Sequence, residues 1–236
     1  MKTKIKIILT SVLLFSTLTF AQNKYVIGAG GNYNLPVGSL ADRMNGAFGG
    51  WVFAGKQIND KWTWVGKLEY FKLTDVNEDK MYKVVETNFN NANQTLTFAL
   101  PGISMELTVL GLTAEAKYKL LKSDFLETDL NLGFGFYYWN YDRGSYKDSL
   151  FADTTGTGTF LLVDVIDVPS LNQKDWSGGL NLGLDFSINV FEPVWLNLSA
   201  NYKLIITELW PTLDLNLENV SGLQFIDFRA GINLRL

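Results

Sequence analysis

The sequence predicts an all-β fold: eight antiparallel strands, joined up-and-down and closed into a barrel. Three observations carry this expectation. Apolar and polar residues alternate with period two along most of the chain. Gly (21), Trp (7), Tyr (10) and Phe (16) are plentiful and Pro (5) is scarce, a composition that suits a barrel better than a helix-covered sheet. Tight turns and long connections also alternate from one strand to the next.

The pattern is clearest between Trp176 and Thr207. Leu180, Leu182, Leu184, Phe186, Ile188 and Val190 alternate with Gly179, Asn181, Gly183, Asp185, Ser187 and Asn189. After Phe191-Glu192-Pro193, the residues Val194, Leu196, Leu198, Ala200, Tyr202 and Leu204 alternate with Asn197, Ser199, Asn201 and Lys203. These are strands six and seven, paired as an antiparallel hairpin.

From the amino end, strand one is Tyr25 to Tyr33, with Tyr25, Ile27, Ala29 and Tyr33 on one face and Val26, Gly28, Gly30 and Asn32 on the other. A loop, Asn34 to Gly46, leads to strand two, Ala47 to Ile58. Its apolar face is taken as Val52, Ala54 and Ile58, although Trp51 and Phe53 on the reverse side are apolar too. Asn59-Asp60-Lys61 makes a tight turn. Strand three, Trp62 to Leu73, sets Trp62, Trp64, Leu68 and Tyr70 against Thr63, Lys67 and Glu69.

Asp75 to Met105 is a long connection carrying a short hairpin, Tyr82–Thr87 and Thr95–Leu100, around Asn90-Asn91-Ala92-Asn93. Strand four is Glu106 to Leu120, with Leu110, Leu112, Ala114, Ala116 and Tyr118 opposite Gly111, Thr113, Glu115, Lys117 and Lys119. A turn at 121–124 precedes strand five, Phe125 to Tyr141, which alternates Leu126, Leu130, Leu132, Phe134 and Phe136 with Glu127, Asp129, Asn131, Gly133 and Gly135. Asp142 to Asp175 is a second long connection with an apolar run at 160–168, and Trp210 to Leu223 is a third. Strand eight, Gln224 to Leu236, sets Ile226, Phe228, Ala230, Ile232, Leu234 and Leu236 against Asp227, Arg229, Gly231, Asn233 and Arg235.

Residues 1–21 are read as a cleaved secretory signal peptide: Lys2, Lys4 and Lys6, then the apolar stretch Ile7 to Phe20, then Ala21 before Gln22. Residues 22–236 form the barrel domain. Removing three of the 20 basic residues leaves 17 against 24 acidic ones, so the net charge moves from −4 to −7. That balance argues against a nucleic-acid partner. No later run reaches the length of an apolar membrane helix, so a membrane span has to be built from strands.

Alternation alone leaves open which face points outward. Three features favour an apolar exterior. The polar face carries both signs of charge, Lys67, Glu69, Glu115, Lys117, Glu127, Asp129, Asp185, Lys203, Asp227, Arg229 and Arg235, together with small residues that fit a narrow lumen. Aromatic residues gather near strand ends as two girdles: Trp62, Phe125 and Trp195 by the tight turns, and Tyr33, Tyr70, Tyr138 and Trp176 by the long loops. All tight turns fall at one end of the strands and all long loops at the other. The expected architecture is therefore a transmembrane barrel in the outer membrane of a Gram-negative (diderm) bacterium.

With the leader, the segment N-L-P-V-G-S-L-A-D at 34–42, G-A-F-G-G at 46–50 and the closing F-I-D-F-R-A-G-I-N-L-R-L, the chain resembles the small outer-membrane β-barrel families. These include the OmpA transmembrane domain, OmpX and OmpW; the resemblance is nearest to the Bacteroidetes-type outer membrane protein β-barrel domain. It implies periplasmic amino and carboxyl ends, short periplasmic turns, long extracellular loops, and assembly by the barrel assembly machinery. Leu236 departs from the aromatic last residue usual in such barrels, and the periplasmic peptidoglycan-binding domain of OmpA has no counterpart here.

The chain contains no Cys and no His. Disulfides, thiol nucleophiles and His-based triads are excluded, including the kind on which lipid A-modifying barrels depend. Glu127, Asp129 and Asp227 could be read as acid and base, but inward carboxylates neutralised by Lys67, Lys117, Lys203, Arg229 and Arg235 are the simpler reading. Asp148, Asp153, Asp164, Asp167 and Asp175 lack Ca²⁺-loop spacing and read as a solvated loop. No cofactor or metal is expected. Three functions stay open: a non-enzymatic surface barrel contacting lipid, lipopolysaccharide and an unknown extracellular partner; a narrow porin-like passage for small or hydrophobic solutes; and a lipid-modifying enzyme.

Overall fold

A computed structural model describes residues 25–89, 92–153, 158–210 and 219–236. The expected leader lies outside them. The described strands are β1 (Tyr25–Val37), β2 (Ala47–Gln57), β3 (Trp62–Leu73), β4 (Tyr82–Phe89), β5 (Ala92–Ala99), β6 (Met105–Lys122), β7 (Leu126–Arg143), β8 (Tyr146–Ala152), β9 (Leu161–Val168), β10 (Leu171–Phe191), β11 (Val194–Leu209) and β12 (Val220–Arg235). Eight of them close a barrel in the order β1-β12-β11-β10-β7-β6-β3-β2. The pairs β4-β5 and β8-β9 form two separate hairpins.

Every neighbouring pair in the barrel is antiparallel. The seam between β1 and β12 ends with Tyr25 and Leu236 exchanging two backbone hydrogen bonds, of 3.2 and 2.9 Å. Following paired residues once around the wall leads from Val26 through Gly55, Val65, Glu115, Gly133, Asn181, Lys203 and Phe225 to Pro36, ten residues further along β1. For eight strands, that stagger fixes a tilt of roughly 40° and leaves an interior only wide enough to be filled by side chains.

The period-two faces fall as the alternation requires. Leu132, Phe136, Leu182 and Ile232 point outward and stay exposed, whereas Glu69, Lys203 and Asp227 point inward and are buried. Such an inside-out distribution is unfavourable in water and favourable in lipid. Among the described residues, no helix is long and apolar enough to cross a membrane. The spanning elements are the strands.

Strand two adopts the expected phase. Val52 and Ala54 face outward, while Trp51 and Phe53 enter the lumen, at 4% and 8% exposure. Small residues opposite make that possible. A Cβ at Gly231 would come within 2.5 Å of the Trp51 ring, and one at Gly28 within 2.7 Å of Phe53.

The strands are longer than the alternation suggests. β10 starts at Leu171, inside the stretch read as a connection, and runs for 21 residues, about twice what a tilted strand needs to span a bilayer. The same connection contains β8 and β9, and the loop expected up to Leu223 yields to β12 from Val220. The expected Asn-rich hairpin is present as β4-β5, paired from Tyr82–Ala99 to Phe89–Ala92; Asn90 and Asn91 lie outside the described residues.

Towards the loop end the inward rows change character. Phe71 and Leu73 of β3, Val109 of β6, Tyr137 and Trp139 of β7, Ile205 of β11 and Phe225 of β12 form one apolar core. Leu40, Met44, Met81, Ile103, Leu150 and Ile166 reach into it from the connections and hairpins. The part of the barrel nearer the loops is packed like the inside of a water-soluble protein.

Candidate functional site

The interior is where polar chemistry concentrates. Inward positions on β3, β6, β11 and β12 place Lys67, Glu69, Glu115, Lys203, Asp227 and Arg229 in one buried lattice beneath the apolar core. Lys67 lies 2.5 Å from Glu115 and 3.7 Å from Glu69. Lys203 lies 2.9 Å from Glu69 and 3.5 Å from Asp227. Arg229 holds Asp227 at 2.6 Å and reaches Glu115 at 3.4 Å. Asn32 donates to Asp227 over 3.1 Å, and Lys203 donates to Asn34 over 3.1 Å. Three cations and three carboxylates thus share one closed network.

The remaining charges are layered towards the turn end. Lys117 pairs with Asp185, which also accepts from Asn131 over 2.7 Å. Glu127 receives Lys119 at 3.0 Å and Arg235 at 2.8 Å. Asp129, half-buried, has no ion-pair or hydrogen-bond partner among the described residues. Including the lattice, six basic side chains meet six acidic ones, so this section is neutral as a whole. Neutralisation of this kind is what burial of charge requires, because an uncompensated ion in a dry interior is far costlier than a pair.

All eleven polar residues expected to line the lumen lie on inward positions, nine of them buried and Asp129 and Arg235 partly so. Sequence reading missed Lys119 as a partner of Glu127. It also missed the aromatic filling: Lys117 lies over the Phe53 ring at 5.0 Å, and Lys203 over Phe71 at 4.7 Å. Tyr137 exchanges hydrogen bonds with Asn181, and its ring is straddled by Gly111 and Gly179, where a Cβ would come within 2.6 Å of it on either side. The clue lay in the glycines on the polar face, which sit opposite these rings.

Of the expected girdle, Trp62, Tyr70, Phe125 and Trp176 are exposed, and Tyr33 and Tyr138 half-buried. Trp62 packs on Tyr118 at 4.9 Å, and Tyr138 on Trp176 at 5.5 Å. Trp195 departs from the expectation. It shares the phase of Asn197 and is turned into the barrel mouth, 7% exposed, with Arg235 stacked on its ring at 3.6 Å. Nearness to a tight turn suggested lipid; the strand's parity decided for the lumen.

The open space follows the same layering. The cavity volume is about 410 Å³ at the turn-end mouth and about 50 Å³ around Phe53, Lys119 and Asp129. It falls to about 10 Å³ beside Trp51, Lys67 and Arg229.

A closed eight-strand wall, lipid-compatible outside and ionic inside, can now be set beside known structures. A major outer membrane protein from Thermus thermophilus superposes with a TM-score of 0.51 at 10% identity, over 90% of this chain and 99% of that one. The fold is that of a small outer-membrane β-barrel. The attachment invasion locus protein Ail of Yersinia pestis has a TM-score of 0.46 at 12% identity, over 92% of this chain and 100% of that one. For Neisserial surface protein A the values are 0.45 and 15%, over 91% and 98%. No family model and no curated protein matches the chain. At these identities the likeness reaches the fold and no further.

Chemically, the small outer-membrane barrel offers little that is free to react. Asp227 is held by Arg229, Lys203 and Asn32, and Glu127 by two cations. Among the described residues, no three acidic side chains converge on a point where a metal would sit. At the loop end, Lys83 of β4 binds Asp164 of β9 at 2.5 Å and ties the two hairpins together. That hydrogen bond holds the Asp164 carboxyl below its ordinary pKa, helped by the Val165 N–H.

Proposed function

We propose that this chain is a non-enzymatic integral protein of the outer membrane of a Gram-negative bacterium. In this reading its lumen is a structural plug, and its loop-end hairpins face the cell surface to support envelope integrity or bind a partner. One observation carries it: a neutral ionic section is stacked directly under an apolar one, so along the barrel axis polar solutes meet a dry core and apolar solutes meet buried ions. Outer-membrane lipid and lipopolysaccharide are the proposed surroundings of the apolar belt, and the barrel assembly machinery the proposed route of insertion.

Planar-bilayer recording of the purified mature chain tests the reading. The expected trace lacks stable unitary steps at moderate voltage. Reproducible open-channel steps would overturn the plug and favour a narrow passage. Lipid A from a deletion strain should match the parent strain by mass spectrometry; a changed profile would overturn the non-enzymatic assignment.

A further inference from the structure

The turn-end mouth contains an imbalance that the lattice above it does not. Glu127 is shared by two cations, Lys119 at 3.0 Å and Arg235 at 2.8 Å. Asp129 stands directly across the β6-β7 ladder from Lys119, yet that ammonium turns to Glu127 and leaves Asp129 unpaired. Lys117 acts on Asp129 only through space, because its ammonium is bonded to Asp185 and lies over the face of Phe53. One side of a single chamber therefore has two cations on one carboxylate, and the neighbouring Asp129 carboxylate has no hydrogen-bond or ion-pair partner among the described residues.

The chamber is walled by Val26, Val65 and Phe53 and offers the Ser187 hydroxyl as a further polar contact. It opens into the wider mouth, whose rim adds Lys122, Asp124 and Glu192. Two cations sharing one carboxylate and a second carboxylate without a bonded partner, lining the same chamber on apolar walls, complement a small zwitterion. An ammonium has three N–H donors to give Asp129 and its surroundings, while a phosphate accepts from a guanidinium and an ammonium together.

We propose that the turn-end mouth is a binding site for a phosphoethanolamine group, with its ammonium on Asp129 and its phosphate on Arg235 and Lys119. The group comes either from free phosphoethanolamine or from the headgroup of a phosphatidylethanolamine in the adjoining leaflet. The mouth lies at the level of Trp62 and Phe125, exposed aromatics of the turn-end girdle, where headgroups sit. This inference does not require the plug reading, since the site lies below the lattice.

The test is calorimetric titration of the mature chain, folded in maltoside micelles, with phosphoethanolamine and with phosphocholine. Phosphocholine carries the same charges without N–H donors. Phosphoethanolamine is expected to bind at least about tenfold more tightly. Asp129→Asn is expected to weaken it about tenfold and to erase the preference between the two. Arg235→Gln is expected to weaken both ligands alike. Asp129 is half-buried in the chamber, and unchanged thermal unfolding of Asp129→Asn would show that the barrel is intact.

No heat with phosphoethanolamine, equal affinity for the two ligands, or wild-type affinity in intact Asp129→Asn would each overturn the proposal. Repeating the titration in phosphatidylethanolamine and phosphatidylcholine nanodiscs separates the sources. Loss of the free-ligand signal only in the former assigns the site to the lipid headgroup; equal signals assign it to the free molecule.

Discussion

Replacing Lys203 with Met tests the ion-pair lattice at its least accessible point. The Lys203 ammonium is fully buried, 2.9 Å from Glu69, 3.5 Å from Asp227 and 3.1 Å from Asn34 Oδ1. Methionine keeps the flexible apolar stem and removes the charge. The lattice then has Lys67 and Arg229 facing Glu69, Glu115 and Asp227, one carboxylate in excess where water does not reach. Stranding a buried charge in this way costs about 3–5 kcal/mol. Glu69→Gln in the same chain restores two cations to two anions. The double variant is therefore expected to be more stable than the sum of the single losses predicts, by about 2 kcal/mol or more. Reversible urea unfolding of the barrel in thin lipid vesicles, followed by tryptophan fluorescence, gives the four free energies required. A Lys203→Met loss below about 0.5 kcal/mol, or single losses that simply add, would show that the lattice does not act as one neutral unit.

Three further outcomes follow from the same geometry. Leu132 faces outward at mid-height, so Leu132→Arg is expected to cost about 2–4 kcal/mol in vesicles; no loss would mean that this face does not meet lipid. A Cβ at Gly111 would come within 2.6 Å of the Tyr137 ring, so Gly111→Ala should destabilise by about 1–3 kcal/mol. That loss should largely disappear on a Tyr137→Ala background, and an equal loss on both backgrounds would exclude the ring as its cause. The Asp164 carboxyl is depressed by its bond from Lys83, so the clasp is whole above the ordinary aspartate pKa and is lost as pH falls through the lowered value. Protection factors of the β9 amides, which divide out the intrinsic pH dependence of exchange, should fall with acidification in the wild type and lose that pH dependence in Lys83→Met; an unchanged pH profile of protection in the variant would refute the assignment.

The predictability of each feature tracked how local its cause was. The alternation of Leu180 to Val190 and of Phe134 and Phe136 with Gly133 and Gly135 placed these residues on the correct faces, because strand parity is a property of neighbours. Parity also settles Trp51 and Phe53, which face the lumen because Val52 and Ala54 form the outward row. Trp195 lies in the lumen despite its nearness to a turn, because parity prevails there too. The upper reaches of β10 and the hairpin β8-β9 were read as loop because the outward row turns polar at Lys174 and Asn172. Once a wall leaves the bilayer its exterior meets water, and the signal of a lipid-facing strand vanishes while its hydrogen bonding continues.

Read alone, the chain determined the number of barrel strands, the two faces, the inward placement of the charges and the end at which the long connections lie. All of these are encoded in residue-to-residue spacing. Which charges pair was decided only in three dimensions. Glu69 of β3 meets Lys203 of β11 across the lumen, far apart in sequence and not adjacent in the wall, because the barrel closed with a stagger of ten residues. Closure also set Tyr137 between Gly111 and Gly179, turned Trp195 under Arg235, and turned the Lys119 ammonium to Glu127 rather than to Asp129. Side chains that converge on one axis from eight strands compete for the same few partners, and their positions along the chain do not reveal which of them succeed.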